Sequence, residues 1–271
     1  ARADPEPLVR ALESRPAVAI ESQWANFLRN HDELTLDKLT DDEREEVFAA
    51  FAPDESQRVY GRGITRRLPG MLRGDPRRVR MAYSLLFTLP GTPVLFYGEE
   101  IGMGENTEVH GRQSVRTPMQ WSTARNGGFS SAPPSRLVTL PPADGFAPQH
   151  VNVADQYNQD DSLLRFIRHL TARYRMSPEI GWGSFANLPQ DAPGLLVHSV
   201  SADVGRMIAV HNFTDVPTVA RIDLTDEPEG VTLVDLLGPD RYGDGPVWEF
   251  EVPAYGFRWL RVGRPGDGRL G

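Results

Sequence analysis

The sequence contains no cysteine. That excludes a disulfide framework and any cysteine-ligated zinc site, and it leaves the redox compartment unread, with the cytoplasm as the default. Lysine is almost as scarce: Lys38 stands alone among 29 basic residues, a bias of base composition rather than of chemistry. No apolar run approaches the roughly 20 residues of a membrane-spanning helix, so no membrane partner is expected. The opening ARADPEPLVR lacks the apolar stretch of a signal peptide and an initiator methionine, so the gene need not start at Ala1. Basic charge is in deficit: 37 acidic residues against 29 basic ones give a net charge of −8. A phosphate backbone needs the opposite balance, so no nucleic-acid partner is expected, while a neutral, hydroxyl-rich substrate stays open. Six histidines are scattered without the spacing of a zinc site. The glycine-rich pieces GRGITRR and GMGEN lack the strand-loop-helix setting of a phosphate loop, so neither metal nor cofactor is expected.

What is present is ordinary globular protein: 271 residues, 39% hydrophobic and 24% charged, enough for one large domain or two modest ones. Asp4-Pro5 before LVRAL predicts a capped helix ending near Ser14. WANFL, from Trp24 to Leu28, is a short apolar run of the kind buried in parallel sheets, and the polar cluster Arg29 to Glu33 follows it directly. From Leu34 to about Arg73 the text is charged, acidic first and arginine-rich later, which predicts solvated helical faces without catalytic weight. Asp75-Pro76 opens a second helix that Pro90-Gly91 ends, with Val79, Tyr83 and Leu86 on its buried face. TPVLFYG is another apolar strand, and acids again follow: Glu99 and Glu100. Strands alternating with helices predict parallel βα units, whose active sites collect at the C-terminal strand ends. Gly102 to about Pro148 is dense in Gly, Pro, Ser and Asn; a loop of that length, studded with Arg116, Met119, Trp121 and Phe129, is expected to be ordered and functional. An amphipathic helix follows in DSLLRFIRHLTARYR. From about Gly181 the period becomes two, and GLLVHSV, RMIAVHNF, TVARIDL, VTLVDLL and VWEFEV predict antiparallel strands. The fold class is therefore α/β followed by all-β, divided into residues 1–180 and 181–271. GRPGDGRLG at the end reads as a frayed tail.

Three carboxylates follow predicted parallel strands. On spacing alone, Asp32 with Glu99 or Glu100 is a pair that could flank a glycosidic bond; the other reading is that each caps a loop or pairs with an arginine. His31 beside Asp32 can grip neighbouring sugar hydroxyls, one group donating and the other accepting, and the carboxylate favours positive charge developing on a sugar ring. Trp24, Tyr97, Trp121 and Phe129 are candidate platforms for sugar faces, or core aromatics.

FLRNHDE, LPGTPVLFYGEEIGMGEN and VRTPMQWSTARNGGFS, in that order and with a trailing β domain ending PAYGFRWLRV, closely resemble the α-amylase family, glycoside hydrolase family 13. Within it the chain is most similar to the glucosyltransferases that isomerise maltose to trehalose and to α-1,6-glucosidase-like members. The resemblance covers essentially the whole chain. It implies the C-terminal part of a (β/α)8 TIM barrel, from about the sixth helix, followed by an antiparallel β-sandwich. It implies that Asn30-His31-Asp32 ends the seventh strand, with Asp32 stabilising the transition state and Asn30 and His31 binding sugar hydroxyls. Arg116 resembles the arginine that limits such sites to short α-glucans such as maltose. The family keeps no proton donor after the eighth strand, which weighs against pairing Asp32 with Glu99 or Glu100. Its nucleophilic aspartate and acid/base glutamate follow strands that have no counterpart here. The resemblance thus implies a chain inactive alone, whose partner is the missing N-terminal half of the barrel. Isomerisation, hydrolysis by an α-glucosidase or α-amylase, and a non-catalytic carbohydrate-binding remnant are the activities it leaves open.

Overall fold

Alternating apolar positions from Leu195 onward demand a second layer to bury against. The computed structural model describes residues 1–19, 21–243 and 245–266. Its helices and strands run α1 (Glu6–Glu13), β1 (Ala25–Asn26), β2 (Leu34–Thr35), α2 (Asp41–Phe51), β3 (Arg58–Val59), β4 (Gly63–Ile64), α3 (Leu68–Met71), α4 (Pro76–Thr88) and β5 (Thr92–Pro93). They continue α5 (Val153–Tyr157), α6 (Leu163–Arg175), α7 (Pro178–Trp182), β6 (Ser184–Asn187), β7 (Leu195–Ala202), β8 (Gly205–Asn212), β9 (Thr218–Asp223), β10 (Thr232–Asp235), β11 (Arg241–Tyr242), β12 (Val247–Val252) and β13 (Phe257–Gly263). Packing groups residues 1, 27–80 and 94–168 into one compact unit and residues 2–26, 81–93 and 169–271 into another. This grouping is discontinuous in sequence, unlike the linear division at residue 180.

The helix starts follow local chemistry. Thr40 and Glu43 cap each other's backbone N–H groups at the start of α2. Asp75 accepts from the Arg77 N–H at 2.9 Å as α4 begins. Asp4 accepts from the Glu6 N–H at 3.0 Å beside α1, which ends at Glu13 as expected.

In the first unit the acidic half of the charged segment forms the solvated helix expected of it, α2, whereas the arginine-rich half differs. Strands β2, β4 and β3 form an antiparallel sheet with Leu34 opposite Ile64 and Val59 opposite Gly63. Leu36, Phe48, Ala52, Ile64 and Met71 make a core beneath it. The arginines at 66 and 67 turn inward because carbonyl and carboxylate oxygens there require donors. The long segment after Gly102 is ordered through its own bonds: Met103 and Met119 bury with Ile101, and Asn106 donates to the Leu140 carbonyl at 3.0 Å.

The second unit holds both kinds of sheet. Strands β1 and β5 pair in parallel, Ala25 with Thr92 and Asn26 with Pro93. The longer runs read as strands, Trp24 to Leu28 and Thr92 to Gly98, shorten to these two pairs. A parallel strand extends only where neighbours ladder with it, and among the described residues each has the other alone. The antiparallel part is a six-stranded sheet, β11-β10-β13-β8-β7-β6, facing the pair β12-β9. Leu195, Val197, Ile208, Val210, Ala220, Ile222, Val252 and Leu260 from both sheets share one core. Each valine, leucine or isoleucine among them contributes on the order of 2 kcal/mol when buried. Residues 267–271 of the expected frayed tail lie outside the described residues.

β7 and β8 are buried on both faces. Opposite the sandwich core, His198 and His211 stack with ring centres 6.2 Å apart. Helix α4 supplies their partners: Ser84 Oγ lies 2.9 Å from His211 Nε2 and accepts from Trp259 Nε1 at 2.9 Å, and the Thr88 carbonyl lies 3.0 Å from His198 Nε2. Burial pushes the His198 imidazole down to about 4, and burial followed by repulsion from His198 pushes that of His211 well down. Both rings fold neutral, whereas the unfolded chain takes up their protons below its ordinary pKa of about 6.5. With the unfolded state binding more protons, stability falls as pH drops from about 6.5 to about 4, and His198 alone accounts for about 3 kcal/mol. Urea midpoints measured across this range should show that slope, and the non-titrating His198→Gln variant should lose its share.

Candidate active site

The backbone after Leu28 must turn sharply while keeping five consecutive polar side chains apart, and the turn is made by Asn30. Its side-chain oxygen accepts from the Asp32 N–H at 2.8 Å, an Asx turn that holds the aspartate at the bend. Arg29, buried beneath, secures the turn from below. Its Nη2 donates to the Asp32 carbonyl at 2.9 Å and its Nε to the Arg66 carbonyl at 2.7 Å. Desolvation pulls that guanidinium down to about 10.

The Asp32 side chain, 36% exposed, meets two cations. Arg116 Nη2 donates to Oδ1 at 2.8 Å, and Arg112 Nη1 lies 3.4 Å from the same oxygen. His31 Nε2 stands 3.3 Å from Oδ2. Arg116 also donates through Nε to the His31 carbonyl at 2.8 Å, so one guanidinium grips both the backbone and the carboxylate of the His31-Asp32 pair. Arg112 is itself engaged by Glu33, at 2.7 Å and 3.2 Å. The Glu33 side chain crosses Gly63, where an added Cβ would come within 2.7 Å of its Cγ. That bidentate pair lowers the Glu33 carboxyl and raises the Arg112 guanidinium.

The structure therefore gathers four residues singled out in the sequence: Asn30, His31, Asp32 and Arg116. Arg116 arrives from 84 residues beyond Asp32. The remaining carboxylates go elsewhere. Glu99 is buried at the start of a single 3-10 turn, Glu99–Ile101, and accepts from the Phe96 N–H at 2.7 Å. Burial pushes its carboxyl up to about 7 against the pull of Arg67 and Arg29. Glu100 lines a cavity that Arg116 also lines, and among the described residues neither glutamate is bonded to Asp32. Trp24 lies in the second unit under the Arg15 guanidinium, 4.9 Å from ring centre to Cζ. Among the described residues no cluster of three or more histidines and carboxylates could hold a metal, and no helix is long and apolar enough to cross a membrane.

Arg67 escaped the sequence reading. It is 2% exposed and donates to the Val115 carbonyl at 3.1 and 2.8 Å and to the Tyr97 carbonyl at 2.8 Å. Its guanidinium lies over the Phe96 and Tyr97 rings, 4.7 and 5.1 Å from their centres. Val115 ends the 3-10 turn Gly111–Val115, so this bond fixes the residue immediately before Arg116. Its backbone N–H, with Arg66 Nε, satisfies buried Glu105 at 2.9 and 2.7 Å. The sequence shows only the adjacent arginines that open RRLPGML, and a lone arginine pair does not distinguish a strut from a solvated face.

Residues 62–183 match the family described as alpha amylase, catalytic domain, and residues 205–261 match the sucrose hydrolase-like C-terminal domain. The chain is 38% identical over 263 residues to the trehalose synthase/amylase TreS of Mycobacterium tuberculosis, covering 94% of this chain and 43% of that one. It is 37% identical to a trehalose synthase of Pimelobacter sp., covering 96% of this chain and 46% of that one. The chain thus spans less than half the length of these relatives. Among solved structures it is similar in fold to a sucrose-bound mutant of isomaltulose synthase from Erwinia rhapontici, with a TM-score of 0.64 at 17% identity over 96% of this chain and 47% of that one. A trehalose-6-phosphate hydrolase of Bacillus licheniformis gives 0.60 at 17% identity over 88% and 43%.

Replacing Arg67 by Met should strand the Val115 and Tyr97 carbonyls without donors and cost about 3 kcal/mol. Thermal and urea denaturation of Arg67→Met against the parent checks this.

Proposed function

The chain belongs to the α-amylase family, and from that premise we propose that it is the C-terminal portion of a retaining enzyme that rearranges short α-glucans, turning maltose into trehalose. The observation that carries the reading is Asp32, held at a bend between Arg116 and His31. An ionised carboxylate there favours the positive charge that develops on a glucosyl ring as its bond to oxygen breaks. His31, more than half exposed, and Asn30 are assigned to the ring's hydroxyls. Arg116, which closes over Asp32, is assigned to limiting the length of glucan admitted.

The covalent step needs two further carboxyl groups, one attacking the anomeric carbon and one giving its proton to the departing oxygen. We assign both to the N-terminal part of the barrel, in keeping with relatives about twice as long. Residues 1–180 then complete that barrel and residues 181–271 form its β domain. The setting we assign is cytoplasmic, without metal or cofactor. Release of the glucosyl unit to water is the second reading, favoured by the synthase/amylase description of one relative.

The test is to express the full-length protein and incubate it with maltose. Trehalose as the main product supports the proposal, glucose alone supports the hydrolytic reading, and neither product overturns both. Asp32→Asn removes the charge at constant shape and should lower kcat by about a thousandfold or more. Retained turnover in that variant would remove Asp32 from the proposed role.

A further inference from the structure

The hollow lined by Glu100, Arg116, Trp121 and Phe129 adjoins the Asp32 site. A larger cavity of the first unit, about 810 Å³, is separate: none of His31, Asp32, Arg112 or Arg116 lines it. Its volume lies within the range of about 300–1,000 Å³ that takes a small organic ligand. Much of its wall is apolar, built from Pro69, Pro76, Val79, Phe146, Val151 and Leu163. Three guanidiniums interrupt that wall, those of Arg66, Arg73 and Arg80, against one carboxylate, that of Asp54.

Two of the three arginines are held in place by the protein. Arg66 donates through Nε to Glu105 at 2.7 Å and through Nη1 to the Phe51 carbonyl at 3.1 Å. Arg80 donates through Nη2 to the Asp161 carbonyl and lies over the Phe166 ring, 5.0 Å from its centre. Arg73 differs: among the described residues no hydrogen bond or ion pair engages its side chain. Its backbone closes α3 in a Schellman turn, the Arg73 N–H donating to the Gly70 carbonyl at 3.1 Å and the Gly74 N–H to the Pro69 carbonyl at 2.8 Å. That turn puts Arg73 at φ 56°, a left-handed conformation that glycine or asparagine adopts at lower cost. The fold therefore gains nothing from arginine that asparagine would not supply. What arginine adds is five unengaged donors on the cavity wall.

We infer that this cavity is a second ligand site, apart from Asp32, for a nucleoside monophosphate, with Arg73 taking the phosphate. The inference goes beyond the proposed α-glucan activity and does not depend on it. A phosphate monoester carries a charge of about −1.5 to −2 at neutral pH and three acceptor oxygens. A guanidinium fork meets two of those oxygens at once, and Arg66 and Arg80 add positive potential from fixed positions. The rest of the wall selects the body of the ligand. Apolar side chains with one aromatic ring, Phe146, leave the hydroxyls of a free sugar without partners, whereas the flat base of a nucleoside gains by burying its faces there. One oxygen of Asp54 accepts from Gln57 Nε2 at 3.0 Å, and the other can accept from a ribose hydroxyl or a base amino group. The same carboxylate, and the net charge of −8, disfavour a longer chain of phosphates.

The test is calorimetric titration of the full-length protein with adenosine monophosphate, repeated with glucose 6-phosphate and with inorganic phosphate. Adenosine monophosphate should bind once per chain, at least about tenfold more tightly than either of the others. Arg73→Asn should weaken that binding by about tenfold or more without lowering the melting temperature, because asparagine suits the left-handed turn. Arg73→Lys, which keeps the charge and loses the fork, should retain part of the affinity. Asp32→Asn should leave it within about twofold, which a ligand seated between Arg112 and Arg116 would not allow. No binding of adenosine monophosphate, unchanged affinity in Arg73→Asn, or a larger change in Asp32→Asn overturns the inference. Equal affinity for glucose 6-phosphate or inorganic phosphate overturns the assignment to a nucleoside. Maltose turnover enters none of these readings, so failure of the α-glucan proposal would leave them standing.

Discussion

A single buried guanidinium, that of Arg67, ties together segments 30 and 48 residues away along the chain. Carbonyl groups at the ends of two irregular segments, Tyr97 and Val115, have no helix or strand to satisfy them. An arginine can meet both because its donors fan out in a fixed plane. Its backbone N–H meanwhile donates to Glu105, whose charge Arg66 neutralises. The close approach depends on Gly70, where any Cβ would sit 2.4 Å from both Glu105 carboxylate oxygens. The segment carrying Arg116 can be irregular and still precise because this strut fixes it. A helix would satisfy its own carbonyls but could not set an arginine against Asp32 and an aromatic wall beside it.

Four carboxylates in this unit illustrate how surroundings assign roles to one functional group. Glu105 is buried and doubly bonded to the arginines at 66 and 67. Glu99 is buried with one oxygen on a backbone N–H and the other unbonded among the described residues, and it is correspondingly hard to ionise. Glu33 is occupied by Arg112. Asp32 alone combines partial exposure, cationic neighbours and an adjacent imidazole. Electrostatic stabilisation of a cation on a substrate needs this combination: a charge held in place and still open to a ligand.

The second unit answers a different demand. The central strands β7 and β8 of its six-stranded sheet are buried on both faces, so polar side chains on the face away from the sandwich core must find partners in a dry setting. Ser84 and Thr88 of α4 meet His211, Trp259 and His198 there. The network specifies which side of α4 faces the sheet, since an apolar surface alone would accept several rotations of the helix. Its cost is sensitivity to acid, because neutral imidazoles cannot take a proton without leaving this environment.

Much of the architecture was legible in the residues. Asp75-Pro76 and Thr40 with Glu43 announce helix starts because the capping bonds are local, and a strand such as β9 shows a period of two because each side chain either meets the core or does not. NHD, FYGEE and VRTPMQW carried the family resemblance and led to Asp32, His31, Asn30 and Arg116. Non-local bonds were beyond the sequence. It grouped Arg66 and Arg67 with solvated arginines, because charge alone does not reveal whether a carbonyl 48 residues away needs a donor. It offered Glu99 and Glu100 as equivalent, although one turn of backbone sends the first inward and the second to a cavity wall. It lengthened β1 and β5, because a strand's extent belongs to its neighbours. Sequence by itself determined the local elements, the order of the motifs and the chemical character of the site. Only the tertiary structure decided which charges meet, since that depends on distances set by the packing of the whole unit.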